Sequence, residues 1–410
     1  MHVVRVRGRL TRVPTFLLVA SLVGLVAALN GLRPVRWTLL VLPAFFSAWL
    51  TVELAPQLIV LSLGVVAVSA GLGALHGMGW VGLAIVGVDV GLLGWMVVQS
   101  ERAAAVADAA LSEWVEPADP HAPGLLRRFF VPMAFSHPDV VRVPDVPYSE
   151  VSGRHRLDVY HRTDKPAGAP TLVQVHGGAW VIGDKKEQGR PLMLHLARQG
   201  WVCFAPNYRL SPRATFPDHL IDVKRAIAWV REHGHEWGAD PGFMVLTGGS
   251  AGGHLTTLCA LTQNDPEYQP GFEQADTSVQ GCIPYYGVYD LASETGTAAA
   301  KVRRKGLLSK LVLKTTEQAA FDKASPLARV HGDVPPFFVV HGRNDTLVPV
   351  QEARLLVERL REQSDQPVIY LELPGTQHAF DVFPSIRSDH VVRAVGRFCE
   401  YLRQTRALSR

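Results

Sequence analysis

Leu246-Thr247-Gly248-Gly249-Ser250-Ala251-Gly252-Gly253 is the stretch on which the reading of this chain turns. It follows an apolar run, Phe243-Met244-Val245-Leu246, that reads as a buried strand. It precedes Leu255-Thr256-Thr257-Leu258-Cys259-Ala260-Leu261, which reads as a helix. Gly248-x-Ser250-x-Gly252 therefore sits at a strand-to-helix joint, the setting of a nucleophile elbow, in which a sharp turn lifts a serine hydroxyl out of a sheet. The flanking glycines are required there because a side chain would collide with the neighbouring strand or helix. A Gly/Ser turn at a strand end is common, so the surrounding chain decides its meaning.

Outward from this turn, strand and helix patterns alternate. Val141–Tyr148, Arg156–Tyr160, Thr171–Val175, Trp201–Ala205, Val279–Tyr285, Pro336–Val340 and Val368–Leu373 read as strands. Glu187–Arg198, Pro217–His233, Val350–Gln363 and Ile386–Arg406 carry apolar residues at helical spacing. This alternation implies an α/β fold with a mostly parallel, doubly wound sheet.

Such sheets place their sites beyond the carboxyl ends of the strands, and four loops fall there. His176-Gly177-Gly178-Ala179-Trp180 has two adjacent glycines whose N–H groups can face one point and hold a developing oxyanion. The elbow supplies Ser250 as candidate nucleophile and the Ala251 N–H as a further donor. His341-Gly342-Arg343-Asn344-Asp345 offers a carboxylate after an apolar strand and a glycine turn. Pro374-Gly375-Thr376-Gln377-His378 offers an imidazole after the last strand. Ser250, Asp345 and His378 come in the Ser…Asp…His chain order of the α/β-hydrolases. A serine hydroxyl is a poor nucleophile at neutral pH; His378 would take its proton, and Asp345 would hold the imidazole tautomer.

From about residue 140 to 410 the chain resembles the hormone-sensitive-lipase-like branch of the α/β-hydrolases, through His176-Gly177-Gly178, Tyr208-Arg209-Leu210, Gly248-x-Ser250-Ala251-Gly252-Gly253, Asp345 and His378. The resemblance implies carboxylic ester hydrolysis without a cofactor, an oxyanion hole from Gly177, Gly178 and Ala251, a structural His176, and Gly248 and Gly252 as motif residues. Two positions depart from the pattern. Gly249 stands where that branch usually has Asp, and Arg213 where an acid is expected after Tyr208-Arg209-Leu210. An amidase or formamidase using the same triad is the enzymatic alternative; a non-catalytic ligand-binding relative is the alternative from another class. Residues 290–334 leave the sheet pattern and read as a cap insertion. Its Lys301, Arg303, Arg304, Lys305, Lys310 and Lys314 suit either a solvated face or contact with anionic headgroups.

Hydrophobic residues make up 48% of the 410-residue chain and charged residues only 19%. The excess apolarity lies in Phe16–Leu29, Trp37–Leu54, Leu58–Leu75 and Trp80–Val98, stretches near the ~20 residues that cross a bilayer core. The expectation is an α-helical membrane region over residues 1–100 with about four spans, then a linker helix and a proline-rich segment over 101–139, then a catalytic domain over 140–410. Gly73-x-x-x-Gly77 and Gly87-x-x-x-Gly91 are candidate packing faces. Asp89, in mid-span, reads as a helix-paired carboxylate ahead of a working one. Arg5, Arg7, Arg9 and Arg12 favour a cytoplasmic N-terminus, and four spans would return the catalytic domain to that side. The expected partners are an acyl ester or lipid and the membrane. A net charge of +4, spread along the chain, makes no case for nucleic acid. Cys203, Cys259, Cys282 and Cys399 read as separate buried thiols, and no metal-ligand spacing is present.

Overall fold

The computed structural model describes residues 12–37, 39–116 and 136–408. Arg5, Arg7, Arg9 and most of the proline-rich segment lie outside the described residues.

The sheet has eight strands: β1 (Val140–Pro147), β2 (Arg156–Arg162), β3 (Ala169–Val175), β4 (Val202–Pro206), β5 (Ala239–Gly249), β6 (Gly281–Tyr285), β7 (Phe337–Gly342) and β8 (Val368–Leu373). Their order is β1-β2-β4-β3-β5-β6-β7-β8. The β1/β2 and β2/β4 pairs are antiparallel, and every pair from β4 to β8 is parallel. The central strands are mostly apolar and buried because both faces are covered. In β5, Met244 and Leu246 enter one core while Phe243 and Val245 enter the other; in β7, Phe337 and Val339 part from Phe338 and Val340 in the same way. This is the period of two of an extended chain.

The helices that cover the sheet follow from the same patterning. The helices of residues 218–233, 251–261 and 350–363 close the first core through Ile227, Leu258 and Leu356. Those of residues 190–198 and 386–408 close the second through Leu196 and Phe398. Between β6 and β7, short helical turns over residues 298–329 form the cap. Its Leu308, Val312 and Leu313 point into the first core. Arg303 bonds Glu352 Oε1 at 2.6 Å, Arg304 lies over the Phe321 ring, and Lys314 donates to Pro212 O at 2.7 Å. Three of the six cap cations are thus engaged inside the protein, Arg303 and Lys314 with partners outside the cap.

Ahead of the sheet come α1 (Arg12–Leu32), α2 (Val41–Glu53), α3 (Ala55–Gly71), α4 (Met78–Glu101) and α5 (Ala103–Leu111). Two helical segments, Val13–Leu32 and Met78–Leu111, are long and apolar enough to cross a membrane; α2 and α3 are bent by 89° to each other and count at most as a third span. By length and composition, the described residues thus offer two spans, or up to three, where about four were expected. The reason is local: the second apolar stretch yields only 13 helical residues before the chain breaks at Leu54 and turns. That is too short for a bilayer core.

α1 and α4 run parallel. Gly82 packs on Leu17, Gly24 on Asp89 and Gly31 on Met96, so the contacts climb both helices together. α3 runs against them: Ala55 shares a cluster with Ala28 and Leu93, while Ala74, just past its end, shares one with Leu17 and Val86. Gly24, Gly31 and Gly82 make the close approaches. Gly73, Gly77, Gly87 and Gly91 face open space, so the expected small-residue faces are not the ones used. Asp89 is buried in the bundle and accepts from the Ser62 hydroxyl at 3.2 Å. Phe16, Val23, Val26, Leu61, Val68 and Trp80 remain more than half exposed, an apolar girdle on the outside of the bundle.

The bundle is joined firmly to the sheet. α5 was expected as part of a linker; instead Ala103, Ala107 and Leu111 belong to the second core. Its alanines allow the close approach. Arg397, from the last helix, pairs with Asp108, and His390 reaches Glu101 at 3.0 Å.

Candidate active site

The elbow forms at the end of β5. Ser250 has φ 58° and ψ −119°, a strained conformation for a residue with a side chain. The neighbouring glycines are sterically forced. A Cβ on Gly248 would lie 2.7 Å from the Gly252 backbone, and one on Gly252 would lie 2.1 Å from Val175 O. Ser250 N donates to Tyr285 O at 3.0 Å, which ties the turn to β6. The helix that starts at Ala251 presents its first N–H groups, which have no intrahelical acceptor, beside the serine.

Asp345 and His378 meet from the ends of β7 and β8. His378 Nδ1 lies 2.6 Å from Asp345 Oδ2. The other carboxylate oxygen, Oδ1, accepts from Leu347 N at 2.9 Å and Val348 N at 2.8 Å. Asp345 is fully buried, which opposes its ionisation, yet the charge of His378 and the hydrogen bond from His341 outweigh burial and hold it well below the usual carboxylate range. Gln377 Oε1 accepts from Thr346 N at 2.8 Å and His378 N at 2.9 Å, fastening the two loops together.

His176-Gly177-Gly178 lies across from the elbow: a Cβ on Gly177 would sit 3.1 Å from Ser250 Cβ. Gly178 has φ 111°, and its own Cβ would strike Ile182 O at 2.1 Å, so only glycine fits. His176 is buried, its Nδ1 2.7 Å from Gly177 O and its ring stacked on Tyr208; burial lowers its pKa to about 4. It is a neutral prop for the loop. Gly177 was expected to supply an oxyanion donor. Its N–H already donates to Gln188 Oε1 at 2.7 Å and cannot serve an oxyanion while that bond stands.

Both departures from the family pattern have physical explanations. Tyr286 fills the space beside Gly249: a Cβ there would lie 2.7 Å from the phenol oxygen. The Tyr286 hydroxyl donates to buried Asp381, and its ring centroid is 4.5 Å from His378. An acid thus does lie beside the elbow, brought from the β8 loop. Arg209, which lacks a near acid in sequence, is held by Asp222, 13 residues on, through both carboxylate oxygens at 2.8 and 2.9 Å.

Three further residues were missed from sequence. Gln188 and Gln377 are amides with no motif. His254, one turn beyond Ser250, has its Nδ1 3.2 Å from Trp180 Nε1 and its Nε2 2.8 Å from Ala324 O. It links the glycine loop, the elbow helix and the cap, and burial drives its pKa down to about 3. Its position one turn from the serine was the only available signal.

The family model BD-FAE matches residues 157–360. The chain is 50% identical over 281 residues to the probable carboxylic ester hydrolase LipM of Mycobacterium tuberculosis (strain ATCC 25618 / H37Rv), covering 67% of this chain and 64% of that protein. It is 44% identical over 284 residues to the esterase LipQ of the same organism, covering 68% and 64%. It therefore spans just under two thirds of the length of these curated relatives. A solved structure of Thermogutta terrifontis esterase 2, phosphoramylated by tabun, is similar with a TM-score of 0.53 and 26% identity, over 64% of this chain and 94% of that one. A truncated carbohydrate esterase from gut microbiota is similar with a TM-score of 0.54 at 21% identity, over 64% and 96%. These likenesses and the mostly parallel eight-stranded sheet define an α/β-hydrolase fold.

Proposed function

We propose that this chain is a membrane-anchored serine hydrolase that cleaves carboxylic esters. The observation that carries the reading is the His378–Asp345 bond at 2.6 Å, taken together with the strained serine elbow that ends β5 of the same sheet. The esterase names of the relatives support the same reaction class.

The mechanism follows from the groups present. With Nδ1–H donated to Asp345, His378 carries its lone pair on Nε2. Ser250 Oγ attacks the acyl carbon as its proton passes to Nε2, and Asp345 stabilises the imidazolium. The tetrahedral oxygen takes N–H bonds from Gly178 and Ala251, with Gly177 joining only if Gln188 lets go. His378 returns the proton to the departing alcohol. Water then repeats the sequence on the acyl-serine and releases the acid. The hole is worth about 10²–10³ in rate per donor.

The bundle is the anchor in this reading. α1 and α4 cross in one direction and α3 in the other, with α2 lying along the surface. Three crossings put the α/β domain on the face opposite the N-terminus. With the N-terminal arginines cytoplasmic, that face is the outer one, the reverse of the cytoplasmic side expected from four spans.

The test is a panel of acyl esters, anilides and formamides given to the full chain in nanodiscs. Ester turnover should dominate, and Ser250→Ala should lower kcat by several powers of ten, as for triads that act as a unit (~10⁶ in one protease). Faster anilide or formamide turnover would move the assignment to an amidase. Undiminished turnover in Ser250→Ala would remove Ser250 from the mechanism.

A further inference from the structure

The bundle touches both catalytic loops. Asn344, next to Asp345, donates to Leu32 O at the end of α1, at 3.2 Å. Trp49 of α2 donates from Nε1 to Ala379 O at 2.9 Å, on the residue after His378, and its ring lies 4.9 Å from that of Phe383. Phe45, one turn earlier, presents its ring to the His378 imidazole edge to face, with centroids 6.3 Å apart. Glu53 ends the helix by accepting from Ser385 at 2.6 Å and pairing with buried Arg387.

The opposite side of α2 is apolar too. Leu42, Phe46 and Leu50 recur every fourth residue and are 57, 52 and 40% exposed. No charged residue occurs between Val41 and Val52. A helix with one apolar face on a catalytic loop and the other open is costly in water. It suits a position in the plane of a bilayer surface. The 89° bend between α2 and α3 gives that position when α3 crosses. α1 and α3, which both contact α2, carry exposed apolar residues of their own, so the acyl region of the bilayer is its occupant.

We infer that α2 is the lipid-side wall of the active site, with Phe45 bordering the space before His378, and that the enzyme selects esters bearing a long apolar chain delivered from the bilayer along α2. This rests on the triad reading above and adds a substrate class and a specificity residue to it.

The experiment uses the full chain in nanodiscs. It compares kcat/KM for p-nitrophenyl decanoate and p-nitrophenyl acetate, with fluorophosphonate labelling of Ser250 as an independent report of an assembled site. Wild type should favour decanoate. Phe45→Ala should still label, and its decanoate-to-acetate ratio should fall about tenfold, the scale of lost apolar contacts in a pocket. If Phe45→Ala does not label, Phe45→Leu decides on the same ratio, with an expected fall of about threefold. A labelled variant whose ratio stays at the wild-type value, or a wild type that favours acetate, overturns the role of α2 and leaves the triad reading intact. A wild type that does not label at Ser250 overturns the triad reading and this inference with it.

Discussion

Asp381 shows how much of this site depends on groups far apart in sequence. Burial raises its pKa to about 6, while the Tyr286 hydroxyl and the charge of His378 act in the opposite direction. A carboxyl whose folded pKa lies above its ordinary value of 3.8 binds its proton more tightly folded than unfolded. Its stabilising contribution is complete below the unfolded pKa and is lost as pH rises through about 6. Thermal melts should therefore show wild type losing stability relative to Asp381→Asn as pH climbs from about 4 to about 6, with no further divergence above that range. Parallel curves across the window would mean that the carboxyl is not held protonated. The turn at Ser250 and the pairing of Asp345 with His378 were readable because each residue lies within a few residues of a strand end, where local pattern and chain order constrain it. Gln188 on the Gly177 amide, Asp222 on Arg209 and Tyr286 beside Gly249 were not. Each is a side chain delivered by another element, and no local period records it.

Among elements, the strands and covering helices were legible because their apolar residues repeat with the period of the structure they form. The apolar N-terminal helices were legible as apolar runs, but their relations were not. An all-apolar stretch such as Trp37–Leu54 has no polar face to mark where it turns. Nor does spacing distinguish Gly24 and Gly31, which pack, from Gly87 and Gly91, which do not. The helix expected in the linker, α5, packs into the second core, and α2, expected within a membrane stretch, is also held to the sheet domain through Glu53 and Arg387. Glu53 and Arg387 are both buried. Breaking a buried pair from one side strands the other charge, at a cost of about 3–5 kcal/mol. Arg387→Ala should therefore lower the melting temperature in detergent markedly, and Glu53→Gln with Arg387→Met should recover most of the loss. Unchanged melting of Arg387→Ala would show that α2 is not held to the sheet by this pair.

At the scale of the whole molecule, parallel α1 and α4 require that a chain crossing in both also crosses back between them. Residues 35 and 112 then share a side, and residue 76 lies opposite. Val35→Cys, His76→Cys and Ser112→Cys, labelled in intact and opened vesicles, test this. The four native cysteines are buried and add little background. Residues 35 and 112 should label together and residue 76 apart from them; opposite sides for 35 and 112 would rule out three crossings. In the proposed three-crossing arrangement the catalytic loops would lie at the membrane surface, where Trp49 and Leu32 meet the residues beside His378 and Asp345. On that proposal anchor and site form one unit, and the chemistry would take place where apolar esters concentrate.

The most direct test of the central claim is the intact mass of the full chain after reaction with a serine-directed fluorophosphonate, followed by peptide mapping. The account predicts one adduct per chain, on Ser250, absent from Ser250→Ala and formed far more slowly in His378→Ala. An adduct that persists in Ser250→Ala, or a wild type that stays unmodified while remaining folded, would contradict it.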